Sequence, residues 1–158
     1  MGIVNTTPDS FSDGGDFYRG DDAIAHGRFL ARQGAHILDI GGESTRPGAV
    51  KVETSEELAR TISVVEALSG EGYCVSIDSR KSDVMKQACE KGAAIINDVS
   101  ALQFDPASAE VAAKADVPVV LMHAQGTPEA MQDNPSYGDV VLDIYDELAG
   151  LIDQAVQA

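Results

Sequence analysis

Cysteine is nearly missing from this chain: Cys74 and Cys89 are the only two in 158 residues. Their spacing is neither that of a zinc-ligand pair nor that of a redox pair. They read as reduced, mostly buried thiols of a cytoplasmic protein. Basic residues are scarce too. Eleven Lys and Arg stand against 26 Asp and Glu, a formal net charge of −15. That argues against nucleic acid and an anionic membrane surface as partners, and it leaves few cations for a phosphorylated substrate. No apolar run approaches the roughly 20 residues of a bilayer-spanning helix, and no signal-peptide core is legible. No glycine-rich G-x-G-x-x-G turn follows the first apolar run, and no P-loop, zinc pattern or Ser-His-Asp arrangement occurs. What remains favours binding and electrostatic stabilisation over covalent catalysis.

What is present is a rhythm. Apolar residues make up 44% of the chain and charged residues 23%, a balance that supports one globular domain with a real core, residues 1–158. Short Val- and Ile-rich runs recur, each ending in a polar residue: Gly2-Ile3-Val4-Asn5, Ile37-Leu38-Asp39, Val75-Ser76-Ile77-Asp78, Ile95-Ile96-Asn97-Asp98 and Val119-Val120-Leu121-Met122-His123. Each predicts a buried strand. Helical patterns lie between them. Asp21 or Asp22 caps a helix carrying Ile24, Phe29 and Leu30. Thr54 with Glu57 forms a capping box ahead of Leu58, Ile62, Val65 and Leu68 on one face. Asp105-Pro106 opens another helix, Gly34 and Gly92 stand at C-caps, and Val140, Val141, Ile144, Leu148, Leu151 and Ile152 repeat at helical spacing.

Five β-α repeats predict an α/β protein with parallel strands and right-handed crossovers. An open doubly wound sheet concentrates its functional groups at one switch point, whereas a (β/α)8 TIM barrel gathers them at the C-terminal ends of its strands. Polar residues end all five runs, which favours the barrel. A complete barrel takes roughly 250 residues. The chain is therefore expected to be an incomplete barrel, its N-terminal five units, with unpaired edges at the first and fifth strands.

The strand ends supply the candidate site. Asn5 offers a neutral oxygen to a metal ion, or simply caps a turn. "DIGGESTRPGA" follows the second strand, with Asp39 at its end, glycines that permit close approach, and Arg46 as a cation for carboxylate or phosphate, or as a solvated loop residue. Asp78 and Asn97, on adjacent strands, can accept from and donate to a flat heterocycle with amino and oxo groups. Asp98 either joins them or faces away by strand alternation. Val99 and Met122 are candidates for apolar walls, and His123 for a site residue or a hydrogen-bonded structural one. His26 and His36 read as structural or exposed.

"GIVNTTPDSFSDGG", "DIGGESTRPGA", "SIDS", "IINDVSAL" and "LMHAQGTPEAMQDNPSYGDV" together closely resemble the dihydropteroate synthase family, in its order and along the whole chain. The resemblance implies a (β/α)8 barrel of folate biosynthesis, inhibited by sulfonamides. It joins 6-hydroxymethyl-7,8-dihydropterin diphosphate to 4-aminobenzoate, giving dihydropteroate and diphosphate. It implies Asn5 as the ligand of the Mg2+ ion that carries the diphosphate. Asp78 and Asn97 become pterin-pocket residues lined by Val99 and Met122, and Thr45 lies between that pocket and the second loop. Arg46 and Pro47 belong to the second loop, Phe11 and Asp13 to the first, and both loops help form the aminobenzoate pocket. The polar stretch after Val4 then reads as a mobile lid, with Phe11 as an apolar rest for the aminobenzoate ring. The catalytic group implied is Asp78, Asp13 and Arg46, with Asp39 adding negative potential. The family also uses, from later strands, an Asp near a Gly-Phe-Gly loop, a Ser-Arg-Lys segment and an Arg-x-His; none follows the fifth strand here, and the Ser79-Arg80-Lys81 of this chain stands after the third. The 158 residues alone are thus expected to be inactive, and a full-length parent to form a cytoplasmic homodimer. Two further readings are a pterin-binding methyltransferase barrel, expected to lack the "TPDSFSDGG" and "ESTRPG" loops, and a non-catalytic half-barrel that binds pterin weakly.

Overall fold

A computed structural model describes residues 1–7, 16–44, 51–126 and 135–158. Strands and helices alternate: β1 (Gly2–Asn5), α1 (Asp16–Arg32), β2 (Ile37–Gly41), α2 (Thr54–Gly70), β3 (Cys74–Asp78), α3 (Ser82–Glu90), β4 (Ile95–Asp98), α4 (Ser108–Ala115), β5 (Val119–Leu121) and α5 (Val140–Gln157). The strands form one parallel sheet in the order β1-β2-β3-β4-β5. A doubly wound sheet reverses its strand order at a switch point. Here each strand lies beside its predecessor without reversal, as in the wall of a barrel.

The alternation of side chains divides the sheet into two faces. Val4, Ile40, Ile77, Ile96 and Val119 fall in one register row. The first four are fully buried, under Ala23 of α1, Val64, Val65 and Leu68 of α2, and Val84, Met85 and Ala88 of α3. Burying each such Val, Leu or Ile is worth roughly 1.5–3 kcal/mol, so this helix-covered face holds the fold together. The other face is open: Ile3 is 60% and Val120 43% exposed.

Several local expectations hold. Gly34 and Gly92 adopt φ of 100° and 105° beyond α1 and α3, where only glycine is unstrained. Each closes its helix by a Schellman pair, Ala35 N to Leu30 O at 3.1 Å and Ala93 N to Ala88 O at 2.9 Å. Gly72 closes α2 in the same way.

Others need correction. Helix α1 begins at Asp16, so Asp21 and Asp22 lie inside it rather than capping it, and Phe29 is 49% exposed because Ala23 and Gly27 form the buried stripe. In α2 the N-cap is Glu53 and no capping box forms: Thr54 is the first helical residue, and the Glu57 carboxylate turns inward to the core side. Helix α4 starts at Ser108, later than Asp105-Pro106 implied; Asp105 Oδ1 accepts from Ala107 N at 3.0 Å just before it, while Oδ2 accepts from Ser82 N and Oγ at 2.9 and 2.7 Å, capping α3 from a neighbouring loop. Cys74 is exposed rather than buried, since it stands on the open face at the start of β3; Cys89 is half-buried, and both thiols are free.

Candidate active site

Parallel register brings the C-terminal ends of the strands level. Asn5, Gly41, Asp78, Asn97 and Val120 form one row across the open face. The row is fastened at its exits. Thr6 donates from both N and Oγ1 to Gly41 O, at 2.8 and 3.0 Å, and Ser79 N donates to Asn97 O at 3.2 Å. Gly41 leaves a gap in the row into which Asp78 leans: a Cβ there would sit 3.4 Å from Asp78 Oδ2. The structure thus brings together three of the residues singled out from the sequence, Asn5, Asp78 and Asn97.

One step down each strand lie Ile3, Asp39, Ser76 and Ile95. Asp39 does not end β2, which runs on to Gly41; it is an inner-face residue, buried, and its Oδ2 accepts from Asn97 Nδ2 at 3.0 Å. Asp39 Oδ1 and its register neighbour Ser76 Oγ are buried without a hydrogen-bond partner among the described residues. The floor below Asp78 and Asn97 therefore has free hydrogen-bonding capacity. Asp98 does not line this face: it is fully buried on the helix side and accepts from Ser100 N and Oγ and from Leu102 N at 2.6 to 2.9 Å.

Electrostatics single out Asp78. Burial, then the carboxylates of Asp39, Glu57 and Asp98, push its pKa up to about 7, with Arg80 acting in the opposite direction. Near neutral pH its carboxyl can therefore donate a hydrogen bond when protonated or accept at both oxygens when ionised.

Val99 and Met122 are both half-buried. Val99, with Phe104, Ala124 and Leu151, lines a cavity of about 410 Å³ between the loop after β4 and α5. Met122 and His123 lie just beyond β5, which stops at Leu121. His123 is tied into the structure, with Nε2 3.0 Å from Tyr137 Oη and Nδ1 2.9 Å from Glu147 Oε1 on α5. Phe11, Asp13, Thr45, Arg46 and Pro47 lie outside the described residues.

The sequence reading missed a buried charged cluster. Glu43, Glu57, Arg80 and Lys81 are all less than 10% exposed and meet just behind the Asp78 strand end. Lys81 pairs with Glu57 and Glu43, and Arg80 Nη2 lies 3.3 Å from Glu43 Oε2. Burial raises the Glu43 pKa, but the Val52 N–H, Lys81 and Arg80 outweigh it and hold the carboxyl below its usual range. Two successive cations directly after a strand end, in so acidic a chain, were the available signal.

The whole chain, residues 1–158, matches the family model described as pterin binding enzyme. It is 45% identical over 156 residues to the dihydropteroate synthase of Synechocystis, covering 98% of this chain and 54% of that protein. The sulfonamide complex of Yersinia pestis dihydropteroate synthase superposes with a TM-score of 0.91 at 46% identity, over 99% of this chain and 57% of that one. The Xanthomonas albilineans enzyme with 4-aminobenzoic acid does so with a TM-score of 0.90 at 48% identity, over 99% and 55%. The chain spans about half the length of the curated relatives it matches. What it spans in those solved structures is the first part of a barrel, and by sequence and fold the chain belongs to the pterin-binding enzyme family.

Proposed function

We propose that this chain carries the pterin wall of a dihydropteroate synthase. The carrying observation is the in-register row of Asn5, Asp78 and Asn97 above the buried Asp39–Asn97 pair. Asp78 and Asn97 hold the amino, oxo and ring-nitrogen edge of 6-hydroxymethyl-7,8-dihydropterin diphosphate. The free Asp39 Oδ1 and Ser76 Oγ lie within the same face, and Val99 and Met122 supply apolar walls. In this reading Thr45 stands between the pterin site and the second loop, and Arg46 and Pro47, with Phe11 and Asp13, border the 4-aminobenzoate site.

The reaction is a displacement. The bond from the pterin methylene carbon to the diphosphate oxygen breaks, the 4-aminobenzoate nitrogen bonds to that carbon, and the nitrogen loses a proton. Cationic character on the pterin is stabilised by the Asp78 and Asp39 carboxylates beneath it, in a site whose dipoles are already oriented. Arg46, a cation suited to carboxylate or phosphate, and Asp13 complete the catalytic group in this reading. Asn5, at the end of β1, offers a magnesium ion a neutral side-chain oxygen. Mg2+ commonly takes one or two protein oxygens and the rest from phosphate and water. When bound, magnesium neutralises charge on the leaving diphosphate. A cytoplasmic location and a homodimer of the full-length protein belong to the same proposal.

The test is an assay for dihydropteroate with both substrates and magnesium, using a protein of full family length that carries these 158 residues. Product is expected there and not with residues 1–158 alone. Asp78→Asn should lower kcat by about 10²-fold, the scale of one transition-state electrostatic contact. A folded full-length protein that makes no product, or an Asp78→Asn variant at the unchanged rate, rejects the assignment.

A further inference from the structure

The buried cluster behind β3 has a geometry that stabilisation alone does not explain. Lys81 Nζ uses all three of its N–H bonds. One goes to Val52 O at 2.7 Å, one to Glu43 Oε2 at 3.3 Å and one to Glu57 Oε2. Glu43 Oε1 accepts from Val52 N at 2.9 Å. Glu43 and Val52 thus bind each other and the same ammonium. Beneath them Gly42 is pressed on α2, where a Cβ would come within 2.7 Å of Thr61 Cγ2, and Arg60 Nη1 donates to Gly42 O at 3.0 Å. Ser79 Oγ completes the cluster by donating to Glu57 Oε1 at 2.6 Å.

Two anions and two cations balance, yet buried ion pairs are poor stabilisers compared with apolar packing. What this one achieves is connection. Residues 43–44 and 51–52 flank residues 45–50 on both sides, and Lys81 joins those flanks to a point three residues past Asp78.

We propose that Lys81 is a positioning residue: with Glu43 as its partner it fixes both flanks of residues 45–50 against the Asp78 strand end, and so governs use of the acceptor amine and not of the pterin. The second half of that statement rests on the reading above, in which Arg46 and Pro47 border the 4-aminobenzoate site.

The experiment uses the full-length protein and two variants, Lys81→Met and the shape-preserving Glu43→Gln. Expected is a rise of at least tenfold in the KM for 4-aminobenzoate with Lys81→Met and about threefold or more with Glu43→Gln; in Glu43→Gln, which keeps the Lys81–Glu57 pair, the KM for the pterin diphosphate stays within threefold, and this variant decides selectivity. Hydrogen exchange at the Val52 amide should speed up at least tenfold in both variants, while the Ile77 amide of β3 keeps its protection. Equal shifts for both substrates, or none, overturn the selective role. Unchanged exchange at Val52 overturns the clamp itself, and it does so whether or not the protein makes dihydropteroate. A wild-type protein without product sinks the functional reading and leaves the clamp to be decided by exchange. If neither variant folds, the cluster holds the fold and the positioning role is overturned.

Discussion

Asp78 shows how one residue can couple stability to chemistry. Its carboxyl is pushed up to about 7 by burial first, then by Asp39, Glu57 and Asp98. For an acid whose folded pKa lies above its unfolded one, the folded state binds more protons between those two values. Stability is therefore greatest below the unfolded pKa, falls as pH rises from about 4 to about 7, and stays at the lower level beyond. Asp78→Asn removes that titration. The variant should be more stable than the parent at pH 8 by roughly 1–3 kcal/mol, with a flatter dependence between pH 5 and 8. Urea midpoints at the two pH values measure it, and an identical slope in both proteins would show that Asp78 titrates normally. The same substitution slows the proposed reaction, so the site residue is held at a cost to the fold.

Among the elements, the crossovers are held by polar ties as well as by apolar packing. Asp105, in the loop before α4, caps α3 through Ser82 N and Oγ and also accepts from Ala107 N at 3.0 Å. Bonds from Ala107 and Ser82 hold its carboxyl below the usual range. Asp105→Ala should cost about 1 kcal/mol at pH 7, the ordinary worth of an N-cap. A depressed acid contributes above its unfolded pKa and loses that contribution as pH falls through the folded one, so the difference should shrink toward pH 3. Denaturation curves at pH 7 and pH 3 decide it. Helix α5 is held differently: Tyr145 is 69%, Val141 72% and Val156 81% exposed, and among its polar ties are the His123–Glu147 pair and a bond between Gln103 and Gln154.

Taken whole, the described sheet is a wall with one finished side. Ile3 and Val120 lie open on the inner face, and α5 adds Leu142 and Ile152, 59% and 51% exposed. Exposed apolar surface of this kind binds hydrophobic dyes and promotes association. Residues 1–158 expressed alone should enhance anilinonaphthalene sulfonate fluorescence several-fold over the full-length protein at equal concentration. Equal fluorescence would mean that the inner face is covered in the 158-residue chain itself. Against a net charge of −15, Lys51, Arg80 and Lys81 gather near the strand ends, with Lys51 and Arg80 both over the Phe104 ring at 5.6 and 4.4 Å.

The sequence by itself determined the β-α alternation, because runs of Val and Ile between capped, periodic segments leave the backbone few choices, and it determined the polar ends of β1, β3 and β4 but not the ends of β2 and β5, which fall at Gly41 and Leu121. That placed Asn5, Asp78 and Asn97 correctly. It could not settle which partner a side chain takes when two are chemically plausible. Glu57 three residues after Thr54 has the spacing of a capping box, yet a buried Lys and Ser offer its carboxylate more than an exposed backbone N–H does. Asp105 before Pro106 has the look of a local cap, yet only one of its oxygens bonds locally and the other serves another helix. Asp98 and Asp39 are both acids on strands, and only register decided that one faces the helices and the other the open face. Those outcomes depend on contacts between residues about 20 to 60 positions apart, made only when the strands pair and the helices pack. The local pattern of a sequence does not encode distances of that kind.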